Sequence, residues 1–181
     1  MPFLNKLSCF CLILFSLNAY SQEKESELHE EFNHHSVSIL ISHTIITEGI
    51  KDGKRSTISV PSWALNYNYR FNEKWSIGWH NDIIIEDFVI EKNSGNEIIE
   101  RSVPVAALIV GTYKFTKSFG IEIGGGMEFE KNENFGVARI GAEYGIEIPS
   151  KNLEVLFAID YDILFDAYNS FNFGIGIAKL F

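Results

Sequence analysis

From Ser36 to the final Phe181, apolar and polar positions alternate with a period of two, in eight stretches separated by short polar connections. A period of two places successive side chains on opposite faces of an extended chain, so each stretch reads as a strand with one greasy face. The stretches run from about Ser36 to Thr47, Ile58 to Phe71, Trp75 to Glu91, Ser102 to Phe115, Phe119 to Glu130, Phe135 to Ile148, Leu153 to Phe165 and Phe171 to Phe181. In the second, Trp63, Leu65, Tyr67, Tyr69 and Phe71 oppose Ala64, Asn66, Asn68 and Arg70. In the seventh, Val155, Phe157, Ile159, Tyr161 and Ile163 oppose Glu154, Ala158, Asp160 and Asp162. These stretches are too aromatic and β-branched for surface helices.

The connections alternate in length. Asn72 to Lys74, Thr116 to Ser118 and Pro149 to Asn152 are tight turns, whereas Glu48 to Ser56 and Lys92 to Arg101 are longer, with shorter connections at Lys131 to Asn134 and Asp166 to Ser170. Strands joined this way predict an antiparallel up-and-down barrel with both chain ends on the short-turn side. What lies opposite the greasy face decides its direction. A soluble barrel points its bulky apolar residues inward and polar residues out. Here the second face is filled with Gly, Glu and Asp, which suits a narrow polar lumen, and leaves Phe, Ile and Tyr for lipid. Aromatic residues at strand ends, among them Phe71, Trp75, Phe115 and Phe119, fit the girdles of a membrane interface.

Composition narrows the compartment. Lys6 followed by the apolar Leu7 to Leu17 and by Ala19-Tyr20-Ser21 reads as a secretory signal peptide over residues 1–21, with Gln22 to His35 as a polar, acidic, flexible N-terminal arm and 36–181 as the barrel domain. Both cysteines, Cys9 and Cys11, fall within the signal peptide, so the mature chain is expected to hold no disulfide or thiolate ligand. The formal net charge of −9 excludes a nucleic-acid partner.

The strand pattern over 36–181 and the terminal FNFGIGIAKLF resemble the small eight-stranded outer-membrane β-barrel proteins of Gram-negative bacteria. The resemblance implies an all-β, eight-stranded antiparallel transmembrane barrel in the outer membrane, surrounded by lipid. It also implies an assembly signal in the last strand, with Phe173, Gly174 and the final Phe181, read by the barrel assembly machinery. Lys179 shares the greasy parity of Phe181 and is expected to snorkel to the interface. The resemblance carries no catalytic residue and no cofactor.

The inward parity predicts a charged lumen network containing Arg70, Lys114, Glu122, Glu128, Arg139, Glu143, Asp160 and Asp162. Pairing Glu147 with Glu154 across the Pro149 to Asn152 turn sets Arg139 opposite Asp162, with Glu128 as a diagonal neighbour. Across the Thr116 to Ser118 turn, Lys114 is expected beside Glu122. The interior is thus read as charged rather than packed with apolar side chains. Eight strands leave only enough room for side chains, which argues against an open pore. A cation or proton site among Glu128, Glu143, Asp160 and Asp162 is the functional alternative to plain ion pairing, and no metal-ligand spacing supports it.

His29, His34 and His35 read as ordinary solvated residues of the arm, and His80 as a hydrogen-bonded lumen residue opposite Asn66. His43 takes the lipid-facing parity beside Ile41 and Ile45, while His34 and Ser36 share a face at the start of the first strand. These residues admit a lipid-modifying hydrolase as an alternative function. A soluble periplasmic barrel holding an apolar ligand is another. Gly124-Gly125-Gly126 lies inside a strand and reads as close packing rather than a phosphate loop. Lys51-Asp52-Gly53-Lys54-Arg55 forms a basic external turn. The function expected is a non-enzymatic envelope structural or surface-interaction role.

Overall fold

The computed structural model of the chain describes residues 32–93, 95 and 97–181. The segments expected to be a signal peptide and, as far as Glu31, a polar arm lie outside these residues. Period two becomes strand at every predicted stretch, and two of the longer loops add short hairpins. In chain order the strands are β1 (His35–Ile46), β2 (Ile50–Lys51), β3 (Lys54–Arg55), β4 (Ile58–Arg70), β5 (Trp75–Ile84), β6 (Phe88–Glu91), β7 (Ile98–Arg101), β8 (Val105–Lys114), β9 (Phe119–Phe129), β10 (Phe135–Ile148), β11 (Leu153–Leu164) and β12 (Asn169–Leu180). Eight of them close a barrel in the order β1-β12-β11-β10-β9-β8-β5-β4, with β4 pairing back onto β1. Every pairing is antiparallel. No helix among the described residues is long and apolar enough to cross a membrane.

The seam joins the first strand to the last, from Ser36 opposite Leu180 to Ile46 opposite Ser170. His35 and Phe181 exchange both backbone hydrogen bonds at 2.9 Å, and their rings stack with centroids 5.8 Å apart. The Phe181 side chain faces outward, above the backbone that closes the ring.

Each short turn has a local chemical cause. Asn72 Oδ1 accepts from the Lys74 and Trp75 amides, and Thr116 Oγ1 accepts from those of Ser118 and Phe119. Asn152 takes the left-handed conformation at the third turn, which Asn tolerates. These turns define one end of the barrel, the turn end. There Trp75, Tyr113, Phe115 and Phe119 form an unbroken aromatic row on the outer wall, with centroid spacings of 4.7, 5.0 and 6.2 Å. Lys179, also on the outer wall, donates from Nζ to the Lys151 carbonyl in the third turn, 2.7 Å away.

The third predicted stretch is too long as read from the sequence. The barrel strand β5 stops at Ile84, and Phe88 to Glu91 leave the wall to pair with Ile98 to Arg101. The outward parity of Trp75, Ile77, Trp79 and Ile83 ends in the aliphatic run Ile83-Ile84-Ile85 and the acidic pair Glu86-Asp87, and the buried Phe88 and Ile90 follow on the opposite parity, so the sequence itself marks the break that the predicted stretch runs across. The β2/β3 hairpin turns on Asp52 and Gly53, both at positive φ, and its neighbour Gly49 bridges to Ile90. The two hairpins therefore pack together over the loop end of the barrel, tied also by the Glu91 amide to the Glu48 carbonyl at 2.9 Å, and the Asn93 amide joins them to the Ala167 carbonyl in the β11–β12 connection at 2.8 Å.

The expectation of a wholly charged interior fails at that end. Ile46, Val60, Ile84, Val137 and Leu164 point inward near the loop-side strand ends, Leu108 and Val110 join them from the middle of β8, and Phe88, Ile90, Ala167 and Tyr168 descend from the loops to meet them. An apolar core fills this part of the barrel because the hairpins supply a second layer to bury it against. Below it the lining is polar. On the outer wall Trp79 is 57% exposed, Ile123 70% and Ile140 60%, so the greasy face points outward all round.

Candidate functional site

The middle of the lumen is organised by Arg139, which sits opposite Asp162 in the β10/β11 register. Its Nε donates to Asp162 Oδ1, and its Nη2 donates to Asp162 Oδ2 and Asp82 Oδ2, all at 2.6 Å. Asn172 Nδ2 donates to the same Asp162 carboxylate at 2.9 Å, and Thr44 Oγ1 lies 2.6 Å from Asn172 Oδ1 and 2.8 Å from Ser62 Oγ. One guanidinium thus links β5, β10 and β11 directly and reaches β12, β1 and β4 through neutral partners. A forked cation suits this position because two parallel bonds to one carboxylate fix its plane and leave a nitrogen for a second acid.

Towards the turn end, Lys114 Nζ lies 3.0 Å from Glu154 and 3.9 Å from Glu143. It does not meet Glu122. The register sets Lys114 opposite Gly120 and Glu122 opposite Thr112, nearer the barrel middle, so Lys114 turns across the lumen to β11. Arg70 lines the same turn-end cavity, with its guanidinium 4.8 Å from the Phe32 ring centroid. Glycine makes room for these acids. A Cβ at Gly145 would run into the Glu154 carboxylate, and one at Gly141 would strike Asp160 Oδ1 and come within 2.9 Å of Glu122 Cγ.

Glu128 belongs to a different network from the one its sequence position suggests. It pairs with Phe135 in the β9/β10 register, away from Arg139, and is held by Arg101 Nη2 at 2.5 Å and the Tyr168 hydroxyl at 2.5 Å. Arg101 is fully buried; its Nη1 also donates to the Glu133 carbonyl at 2.7 Å and to Glu130 at 3.3 Å, and its guanidinium lies 4.7 Å from the Phe135 ring centroid. Inward parity on barrel strands cannot find Arg101 or Tyr168, because both enter the lumen from loops. The Asn132 amide donating to Glu130 at 2.9 Å, with help from Arg101, holds the Glu130 carboxyl below the usual carboxylate range. Glu133, 2.6 Å from Lys92, raises that ammonium above its ordinary value. Glu48, also buried, accepts from Thr47 Oγ1 and the Asn169 amide, beneath Arg55 at 3.7 Å.

The histidines separate by position. His80 is buried opposite Asn66, as expected, with Nε2 3.0 Å from Asn68 Oδ1 and Nδ1 3.9 Å from Glu122. His34 donates from Nδ1 to the Arg70 carbonyl and stacks on Tyr69, whereas Ser36 is buried in the lumen, so the two do not form a pair. His35 Nδ1 lies 2.8 Å from the Tyr67 hydroxyl. His43 is on the outer wall, 3.4 Å from Ser59 Oγ. The Gly124 to Gly126 run lies inside β9, where a Cβ at Gly126 would collide with the Ala107 carbonyl and approach Leu108 Cα to 2.7 Å. Among the described residues no group of three or more His, Cys, Asp or Glu side chains is arranged to hold a metal.

No protein-family model matches the chain, and no curated protein matches it in sequence. Solved structures do. The attachment invasion locus protein Ail of Yersinia pestis aligns over 83% of this chain and 99% of its own, with 13% identity and a TM-score of 0.53. Neisserial surface protein A aligns over 82% and 97%, with 11% identity and the same TM-score of 0.53. At such identities the likeness is one of fold.

Proposed function

We propose that this chain, an all-β, eight-stranded antiparallel transmembrane barrel with the fold of the small outer-membrane proteins, works as a non-enzymatic component of the bacterial outer membrane. In this reading it is exported by a signal peptide over residues 1–21, inserted with Phe173, Gly174 and Phe181 in its assembly signal, and surrounded by lipid. The observation that carries the reading is the filled interior. Arg139 and its acids block the middle, and an apolar core capped by two hairpins blocks the loop end. Three cavities along the lumen have volumes of about 30, 30 and 20 Å³, each room for little more than a water molecule. What such a barrel offers its surroundings is its wall and its cap, which supports a structural or surface-interaction role. The experiment is conductance of the purified protein in planar bilayers, together with its recovery from the outer-membrane fraction in a heat-modifiable form. A silent bilayer and a migration shift on boiling are expected; discrete conductance steps would overturn the reading.

One observation favours a second reading, a lipid-modifying enzyme. His43 and Ser59 form a polar pair on the outer wall, where a lipid ester can approach. Release of acyl chains from phospholipid or lipid A by the wild type, abolished in both His43→Ala and Ser59→Ala, would establish it.

A further inference from the structure

The central cavity contains oxygen atoms that nothing in the fold satisfies. It is lined by four carboxylates, Asp82, Glu122, Glu143 and Asp160, against a single guanidinium, Arg139. Arg139 is committed to Asp162 and Asp82 and comes no closer than 4.0 Å to Asp160. Lys114 serves Glu154 and Glu143 from the turn end. Glu122 and Asp160 flank Gly141, which pairs with both, and their side chains converge on the point a Cβ there would occupy. Asp160 is only 8% exposed, and its Oδ1 has no hydrogen-bond partner. On another strand, β4, the buried Asn66 Oδ1 faces the same cavity and has no partner either. The nearest nitrogens that could answer these acids stand well off, His80 Nδ1 at 3.9 Å from Glu122 and Arg139 Nη1 at 4.0 Å from Asp160, so acceptor oxygens outnumber the donors facing this cavity.

We propose that a small hard metal cation binds in this cavity, held by the carboxylates of Glu122 and Asp160 with Asn66 Oδ1 as a neutral oxygen ligand. The donor set is all oxygen, which suits alkali and alkaline-earth ions and disfavours the softer transition metals. The volume of about 30 Å³ accommodates an ion with about one water. Gly141 is what opens the space, since a methyl group there would occupy the point where the two acids converge. The cation or proton site that the sequence offered as an alternative among Glu128, Glu143, Asp160 and Asp162 is thereby moved: Glu128 and Asp162 are taken by arginines, and Glu122 replaces them.

The proposal is independent of the functional role above and is tested on the intact barrel in detergent. The temperature at which the unboiled, fast-migrating form is lost is measured after chelation, then in CaCl₂, MgCl₂ or NaCl, against tetramethylammonium chloride of equal ionic strength, whose cation is too large to enter. The wild type is expected to gain about 5 °C or more with at least one metal salt and nothing from tetramethylammonium. Asp160→Asn and Glu122→Gln are expected to be more stable than the wild type without metal and to lose the gain. Equal midpoints in all salts would overturn the proposal, as would a gain retained in full by both variants. A gain obtained only by acidification would also overturn it, assigning the pair a shared proton instead. If a variant does not fold, calorimetric titration of the chelated wild type with CaCl₂, MgCl₂ and NaCl decides, and no heat of binding with any of them would overturn the proposal.

Discussion

Arg139 and Arg101 show how much depends on where a buried cation finds its acids. Arg139 could be placed from the sequence because a two-residue period and one turn fix the β10/β11 register, and the register puts Asp162 across from it. The second acid could not be placed that way. Asp82 comes from β5, on the far side of the lumen, and Glu128 is drawn off by Arg101. Arg139→Ala should therefore strand Asp162 and Asp82, lowering stability by about 3 kcal/mol, as for other broken buried pairs. Urea unfolding in lipid vesicles measures this, and Asp162→Asn in the same chain should recover part of the loss. Glu130 gives a prediction in pH. Its carboxyl is held below the usual range in the folded loop, so its contribution is complete above the ordinary carboxylate value and disappears as pH falls through the lowered one. The Asn132 amide resonance should shift with that titration, and Glu130→Gln should remove the shift.

At the level of strands and turns, alternation located all eight barrel strands, and the Asn72 and Thr116 turns followed from their own side chains. It lapses at Ile83-Ile84-Ile85 and Glu86-Asp87, where the strand leaves the wall, but it could not show that β6 then pairs with β7 instead of a barrel strand. Nor could it separate glycines that relieve a clash from those that do not. A Cβ at Gly126 would meet the backbone of Ala107 and Leu108, whereas at Gly111 the nearest atom is 3.9 Å away. Gly126→Ala is expected to cost about 1–3 kcal/mol by overpacking, and Gly111→Ala close to nothing. Their unfolding midpoints, compared side by side, check this.

For the molecule as a whole, the direction of the greasy face was legible because glycine and acids have no use on a lipid-facing wall and bulky aliphatics have none in a polar lumen. The division of the interior was not. It depends on Phe88, Ile90, Ala167 and Tyr168, which sit in the connections between barrel strands, Phe88 and Ile90 on one face of β6, so only the assembled barrel shows that they enter it. The seam carries a further consequence. Because His35 and Phe181 exchange backbone hydrogen bonds, the ends of the barrel domain meet, and they can be moved. A circular permutant that links Phe181 to His35 and opens between Ser150 and Lys151 keeps every strand neighbour while placing Phe181 inside the chain. It should refold in detergent to the same heat-modifiable form, yet fail to reach the membrane in cells if the aromatic end is an address as well as a piece of the wall. Such a chain would separate what the fold needs from what its delivery needs.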